Sequence, residues 1–165
     1  MFELLDIRLG AEARRRIEAD GLAPDVVRCM PAAAGGPKGL ALLPFDRLFA
    51  REWLPRVRSM ELVGASIGAW RMAALAQDDP VAALDRLQHA YVREQNYAER
   101  PSPSQVASVC RGLARSVFQA PGLALRPGLA LSVITARARG ALADDRSKLA
   151  FGRVALVNAA SRRRL

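Results

Sequence analysis

Two glycine-bearing turns, each placed between a short apolar run and a helical pattern, constrain the fold of this chain most strongly. The first turn, 31–39, follows the apolar run 26–30, and the second, 64–68, lies at the end of the apolar run 60–65. Short apolar runs bounded by turns and followed by helices are typical of buried strands in parallel sheets. The sequence therefore predicts an α/β fold with a mainly parallel sheet flanked by helices.

Helical patterns occupy most of the chain between and beyond these turns. Hydrophobic spacing, with glycine or proline at the ends, predicts helices over residues 11–20, 40–55, 69–76, 81–97 and 105–118. Two further apolar runs, at 129–136 and 154–159, are predicted strands. A length of 165 residues suits one domain with its own hydrophobic core, so a single domain over 1–165 is expected.

Composition excludes several classes of protein. A chain that is 51% hydrophobic and 25% charged is not intrinsically disordered. No apolar run approaches the ~20 residues that a membrane-spanning helix requires. The first residues carry acids where a signal peptide would carry lysine or arginine. The sequence therefore predicts a soluble, non-exported protein located in the cytoplasm.

Cysteine and histidine are scarce, which limits the available chemistry. Two cysteines, Cys29 and Cys110, are too few for a disulfide scaffold or a four-ligand zinc site, and Cys29 is expected to be buried within its apolar run. The one histidine, His89, excludes multi-histidine metal centres. His89 lies in a predicted helix away from both turns, so we expect a structural role for it. No metal and no organic cofactor are expected.

The net charge of +9 permits an anionic partner without identifying one. The basic residues are 23 arginines and two lysines, mostly scattered, in an alanine-rich chain whose composition is typical of GC-rich genomes. Aromatic residues do not alternate with basic ones as they do on many nucleic-acid-binding surfaces, so no nucleic acid is expected as partner. The charge does allow peripheral contact with an anionic membrane. The oligomeric state is left open.

The second turn has the pattern G-x-S-x-G. A serine nucleophile at the end of a strand needs a sharp turn that exposes its hydroxyl, and Gly64 and Gly68 allow the neighbouring backbone to approach. A helix beginning near Ile67 would offer free N–H groups to a developing oxyanion. Ser66 is therefore the candidate nucleophile. Taken alone, the pattern also fits a tight strand–helix turn in which the serine caps the helix.

The first turn is a run of small residues that leaves backbone N–H groups uncovered. The N–H groups of Gly35, Gly36, Lys38 and Gly39 could bind an oxyanion, whereas Pro37 has none. The Lys38 side chain could steady the loop or attract an anionic head group. The sequence matches neither the P-loop pattern nor the dinucleotide fingerprint. An oxyanion loop is the preferred interpretation, and an ordinary glycine turn that starts a helix is the alternative.

Together, the two turns resemble the motifs of the patatin-like phospholipases. That family has a G-G-G-x-[KR]-G oxyanion loop and, downstream, a G-x-S-x-G elbow that carries the nucleophile. Here Ala34 stands at the first glycine position of the loop. The resemblance implies that Ser66 is the nucleophile of a lipid acyl hydrolase. It also implies that the N–H groups of Gly35 and Gly36, joined by that of Ile67, form the oxyanion hole.

The resemblance does not extend to the general base. The family uses a Ser-Asp dyad, with the aspartate in a D-G-[GA] motif, but the one Asp-Gly pair here, Asp20-Gly21, precedes both turns and is interpreted as a helix end. We therefore expect a patatin-like domain that is incomplete at its C-terminus. Two alternatives remain open: Asp144 or Asp145 serves as an atypical base, or the chain is a non-catalytic relative.

The sequence thus supports three functions from different classes. The first is a serine acyl hydrolase acting on lipid or other carboxylic esters. The second is an inactive or truncated patatin-like module that binds acyl or anionic ligands. The third and weakest is a basic nucleic-acid-binding protein, which would show salt-sensitive binding.

Overall fold

The sheet consists of three parallel strands within the part of the chain that the structure describes. The computed structural model describes residues 8–119 and 123–137, together with Gly152 and Leu156. The strands are β1 (Cys29–Ala32), β2 (Met60–Ala65) and β3 (Leu129–Ile134), in the spatial order β1-β2-β3. The prediction of an α/β fold with a parallel sheet and helices is confirmed at this level.

Five α-helices accompany these strands in the described ranges: α1 (Ala11–Asp20), α2 (Leu43–Leu48), α3 (Ile67–Leu75), α4 (Pro80–His89) and α5 (Pro103–Phe118). Shorter 3-10 helices cover Pro24–Val26, Gly36–Leu42 and Leu54–Arg56, and π-helical turns cover Phe49–Trp53 and Ala90–Glu94. The segment 40–55, predicted as one helix, is thus helical throughout but passes from 3-10 to α to π and back to 3-10 hydrogen bonding. The other predicted helices are confirmed with small shifts at their ends.

Strand β2 is the centre of the sheet and explains where the core lies. Its Met60 and Leu62 side chains are buried on one face, whereas Glu61 between them is exposed on the other. Helix α3 packs against all three strands on the buried face. The core therefore lies between this face and the helices, with the largest fully buried side chains contributed by Leu43, Leu54, Leu62, Ile67, Met72, Leu75, Leu84, Leu87 and Val117.

The first strand begins three residues later than predicted. Residues 24–26 form a 3-10 helix, and the strand runs over Cys29–Ala32. Strand β1 pairs with β2 alone within the described chain, which makes it an edge strand there. The Glu61 N–H donates to the Arg28 carbonyl at 2.9 Å, so residues 28, 30 and 32 face β2 in the parallel ladder. Pro31 consequently faces the free edge, where its missing N–H costs no hydrogen bond.

The prediction that Cys29 is buried is wrong. Cys29 is exposed, because it is paired in register with the exposed Glu61 on the face of the sheet away from the helices. Burial was expected from a run of apolar residues, which is typical of strands covered on both faces. In the described chain only one face of β1 packs against the core.

Some predictions fall outside the described residues. Asp144 and Asp145 lie there, and so does most of the predicted strand over 154–159. Its one described residue, Leu156, is helical, so the strand prediction is wrong at that position. None of the described helices is both long enough and apolar enough to cross a lipid bilayer.

Candidate active site

The elbow, residues 64–68, joins the central strand to the helix behind it. Strand β2 ends at Ala65, α3 begins at Ile67, and Ser66 between them has φ 52° and ψ −126°. A positive φ is unfavourable for any residue with a Cβ, and strain of this kind is typical of the nucleophile elbow. Ser66 is exposed and makes no side-chain capping hydrogen bond to α3. Ser66 thus occupies the N-cap position of a tight strand–helix turn, but its hydroxyl does not cap the helix.

Both glycines of the elbow are required by close packing. A Cβ on Gly64 would lie 2.4 Å from Ala69 Cα, because the strand and the first turn of α3 are in direct contact. A Cβ on Gly68 would lie 2.3 Å from the carbonyl oxygen of Ala32, the last residue of β1. These distances are too short for any side chain. The start of α3 is therefore packed directly onto the end of β1.

The first loop, residues 31–39, leaves β1 and enters a 3-10 helix. Gly35 is extended, Gly36 has φ 56°, and the 3-10 helix runs over Gly36–Leu42. A 3-10 helix joins each carbonyl to the N–H three positions later, so the Lys38 and Gly39 N–H groups are directed at the carbonyls of Gly35 and Gly36. The first N–H groups of a helical turn have no such acceptor. At the start of this 3-10 helix, the N–H groups of Gly35 and Gly36 are thus left for a ligand.

The loop and the elbow lie against each other. A Cβ on Gly39 would lie 2.6 Å from the Ile67 Cγ2 atom, so the loop passes directly over the first residue of α3. The contact between Gly68 and Ala32 fixes the same two segments from the other side. The Lys38 side chain is exposed. The structure therefore brings the two motifs together, although all of α2 and most of β2 lie between them in the sequence.

A buried ion pair links the helices that follow the two turns. Arg71, on α3, donates to both carboxylate oxygens of Asp46, on α2, at 2.6 and 2.7 Å. Both side chains are almost completely buried. Two parallel hydrogen bonds fix direction as well as distance. The pair therefore ties the helix that follows the loop to the helix that follows the elbow, and no pattern in the sequence predicts it.

An apolar groove of about 390 Å³ begins at Ser66. Its floor is the face of α3 that carries Ala69, Trp70 and Ala73, spaced at i+3, i+4 and i+7 from the serine. The Trp70 ring stacks on Phe118 at the end of α5, with centroids 5.7 Å apart and planes within 4° of parallel. The remaining lining comes from Leu123 and from β3 with the residue after it: Leu131, Val133, Ile134 and Thr135. We call this the Ser66 groove.

Sequence reasoning missed this groove. The small residues at helical spacing after Ser66 could have indicated the floor of the groove. No sequence pattern indicated that α5 stacks on α3. Val133 and Ile134 are large apolar side chains that remain 51% and 63% exposed at the carboxyl end of β3. Exposed apolar side chains that line a groove are typical of a binding site for an apolar ligand.

No carboxylate lines the Ser66 groove within the described residues. Three described acids have partners elsewhere: Asp46 pairs with Arg71, Asp79 caps α4 by accepting from the Ala82 N–H at 3.0 Å, and Glu61 accepts from the Ser132 hydroxyl at 2.6 Å. His89 also lies outside the groove, with a side chain that is 70% exposed. The described residues also contain no cluster of potential metal ligands.

The described site therefore consists of a strained serine, a glycine loop packed beside it and an apolar groove leading away from it. Its geometry can present a hydroxyl nucleophile and backbone N–H donors to an apolar ester. Comparison of the chain with models of known protein families, with curated proteins and with solved structures found no match.

Proposed function

We propose that this protein is a serine acyl hydrolase of the patatin-like type, cleaving lipid or other carboxylic esters. The observation that carries the proposal is Ser66, strained, exposed and free of any capping bond at the junction of β2 and α3. Backbone strain of this kind clusters at functional sites, where the strained residue has a role that a glycine could not fill. The adjacent first loop supports an oxyanion hole beside this serine.

The mechanism begins with attack by Ser66 Oγ on the carbonyl carbon of the ester. The carbonyl oxygen becomes an oxyanion, and the N–H groups of Gly35, Gly36 and Ile67 bind it. The alcohol then leaves with a proton, the acyl group stays on Ser66, and water releases it as a carboxylic acid. The chemistry needs no metal and no organic cofactor.

The proton of the Ser66 hydroxyl must pass to a general base. In the family that the motifs resemble, this base is an aspartate, and none lines the Ser66 groove within the described residues. Asp144 and Asp145 are candidates in the part of the chain that the structure does not describe. Peripheral contact with an anionic membrane, supported by the net charge of +9, and a cytoplasmic location remain part of the proposal.

A fluorophosphonate probe tests the nucleophile directly, because it reacts covalently with activated serines. We expect labelling of the full chain that disappears in Ser66→Ala. Ser59→Ala is the matched control, since Ser59 is also exposed and lies just before β2. Labelling that survives in Ser66→Ala, or disappears equally in Ser59→Ala, would contradict the role of Ser66.

The second candidate function is an inactive module that binds acyl ligands. The absence of a carboxylate from the described lining of the Ser66 groove favours it, since a serine hydroxyl is a weak nucleophile without a base. This function predicts acyl binding by folded protein that fluorophosphonate does not label. The hydrolase predicts both binding and labelling.

A further inference from the structure

The Ser66 groove has Ser66 at one end and two stacked aromatic rings along one side. It starts at Ser66, where the proposed reaction takes place, and runs along α3 past Ala69 and Ala73. The Trp70–Phe118 stack stands beside these alanines as a rigid wall of two parallel rings. Beyond it, the Arg126 N–H donates to the Ala76 carbonyl at 2.8 Å, which ties the segment before β3 to the end of α3.

We propose that this groove holds a single unbranched acyl chain, and that Ala73, with the Trp70–Phe118 stack beside it, sets the length it accepts. The inference depends on the proposed function for its substrate, and it adds the residues that determine specificity. Apart from Ser66 and Thr135, every residue of the lining is apolar, which suits a hydrocarbon chain. A volume of about 390 Å³ lies near the lower end of the ~300–1,000 Å³ of small-molecule sites. The groove therefore accepts one chain rather than both chains of a diacyl lipid.

The length of the accepted chain follows from the helix. Ala73 lies seven positions after Ser66, which corresponds to about 10 Å along a helix axis. An extended chain advances ~1.2 Å per bond, so about eight carbons reach from the serine, past the Trp70 ring, to Ala73. Octanoyl esters are therefore expected to fill the groove, whereas palmitoyl chains extend beyond it.

Tryptophan fluorescence can report which groove binds an acyl chain, because each of the two tryptophans lies in a different groove. Trp70 lines the Ser66 groove, whereas Trp53 lines a second apolar groove of about 440 Å³ beside β1. The full chain carrying Trp53→Phe leaves Trp70 as its single tryptophan fluorophore. Fatty acids brominated at the terminal carbon quench a nearby tryptophan, and the free acids bind without any reaction at Ser66.

In Trp53→Phe, we expect quenching of Trp70 by bromo-octanoate. Affinity should rise about fourfold for each methylene from butanoate to octanoate and then level off towards palmitate. Adding Ser66→Ala should change the affinity by the same factor for every chain length and keep the rise of about fourfold per methylene. A failure of the proposed nucleophile is therefore distinguishable from a failure of the groove. The matched variant Trp70→Phe, which retains Trp53, should show no quenching. Quenching of Trp53 instead of Trp70 would overturn the proposal.

Two substitutions in the wall test its role in selecting length. Ala73→Leu fills the groove and should weaken octanoate about tenfold while sparing butanoate. Phe118→Ala removes one ring, so the chain length at which the affinity stops rising should increase. Thermal unfolding of each variant establishes that it is folded. An unchanged length preference in folded Ala73→Leu and Phe118→Ala would overturn the assignment of Ala73 and the Trp70–Phe118 stack.

Discussion

Arg71 donates two hydrogen bonds to Asp46 in the interior of the protein, at 2.6 and 2.7 Å. The two residues lie on α3 and α2, the helices that follow the elbow and the first loop. A buried charge is costly unless it is paired and hydrogen-bonded, so each residue depends on the other. The relative position of the two candidate site segments therefore depends on a pair that lies outside the lining of the Ser66 groove.

Removing one charge of this pair should be strongly destabilising. Asp46→Asn keeps the size of the side chain but leaves Arg71 buried without its counter-charge. We expect the free energy of unfolding to fall by about 3–5 kcal/mol, measured by urea denaturation. The matched control is Asp85→Asn, which breaks the exposed pair with Arg47 and should cost only about 0–1 kcal/mol. Equal costs for the two variants would contradict this account.

The elbow could be predicted from the sequence because its signals are local. The apolar run 60–65 is bounded by residues that favour turns, and the observed strand has the same limits. The glycines on either side of Ser66 indicated a close approach of backbone, and the contacts of Gly64 and Gly68 account for both. Both signals, the alternation of apolar residues and the spacing of glycines, involve positions close together in the chain, so they can be recognised from the sequence alone.

The rest of the site could not be predicted because it depends on contacts between distant segments. Trp70 and Phe118 stack although 48 positions separate them, and Asp46 is buried because Arg71 lies against it. The pattern of α2 also misleads, since Phe45 and Leu48 are exposed while Asp46 is not. An amphipathic pattern identifies a helix without specifying which charged side chain finds a partner in the core.

Gly68→Ala should destabilise the protein by forcing α3 away from β1. The new Cβ would lie 2.3 Å from the Ala32 carbonyl oxygen, a backbone atom that cannot move independently. We expect a loss of about 1–3 kcal/mol in the free energy of unfolding. Gly112→Ala is the matched control: Gly112 lies inside α5 with no atom near the added Cβ, so stability should rise by about 0.5–1 kcal/mol. Changes of the same sign in both variants would argue against the packing described.

Helix α1 should be less stable in acid. Hydrogen bonds from Arg15 and then Arg16 hold the pKa of the Glu12 carboxyl below its usual range. A pKa that is lower in the folded state contributes stability above the unfolded pKa, and this contribution is lost as the pH falls through the folded value. Arg15→Gln should raise the Glu12 pKa towards its ordinary value, as measured by NMR titration of the side chain. An unshifted titration would show that Arg15 does not stabilise the carboxylate.

Relieving the strain at Ser66 should stabilise the protein while removing the proposed nucleophile. Glycine adopts φ 52° and ψ −126° without the penalty that a Cβ imposes, so Ser66→Gly should be about 1–3 kcal/mol more stable than Ser66→Ala. Both variants lack the hydroxyl, so the difference between their free energies of unfolding reports the backbone strain, less the greater conformational entropy that glycine loses on folding.

Gln119→Gly is the control for this comparison. Gln119 has φ 55° at the end of α5 and lies outside the lining of the Ser66 groove, so the substitution should gain about 1 kcal/mol and leave fluorophosphonate labelling intact. If Ser66→Gly were no more stable than Ser66→Ala, the elbow would carry no strain. The hydroxyl would then be presented by an ordinary turn, and the main structural support for a nucleophile at this position would be lost.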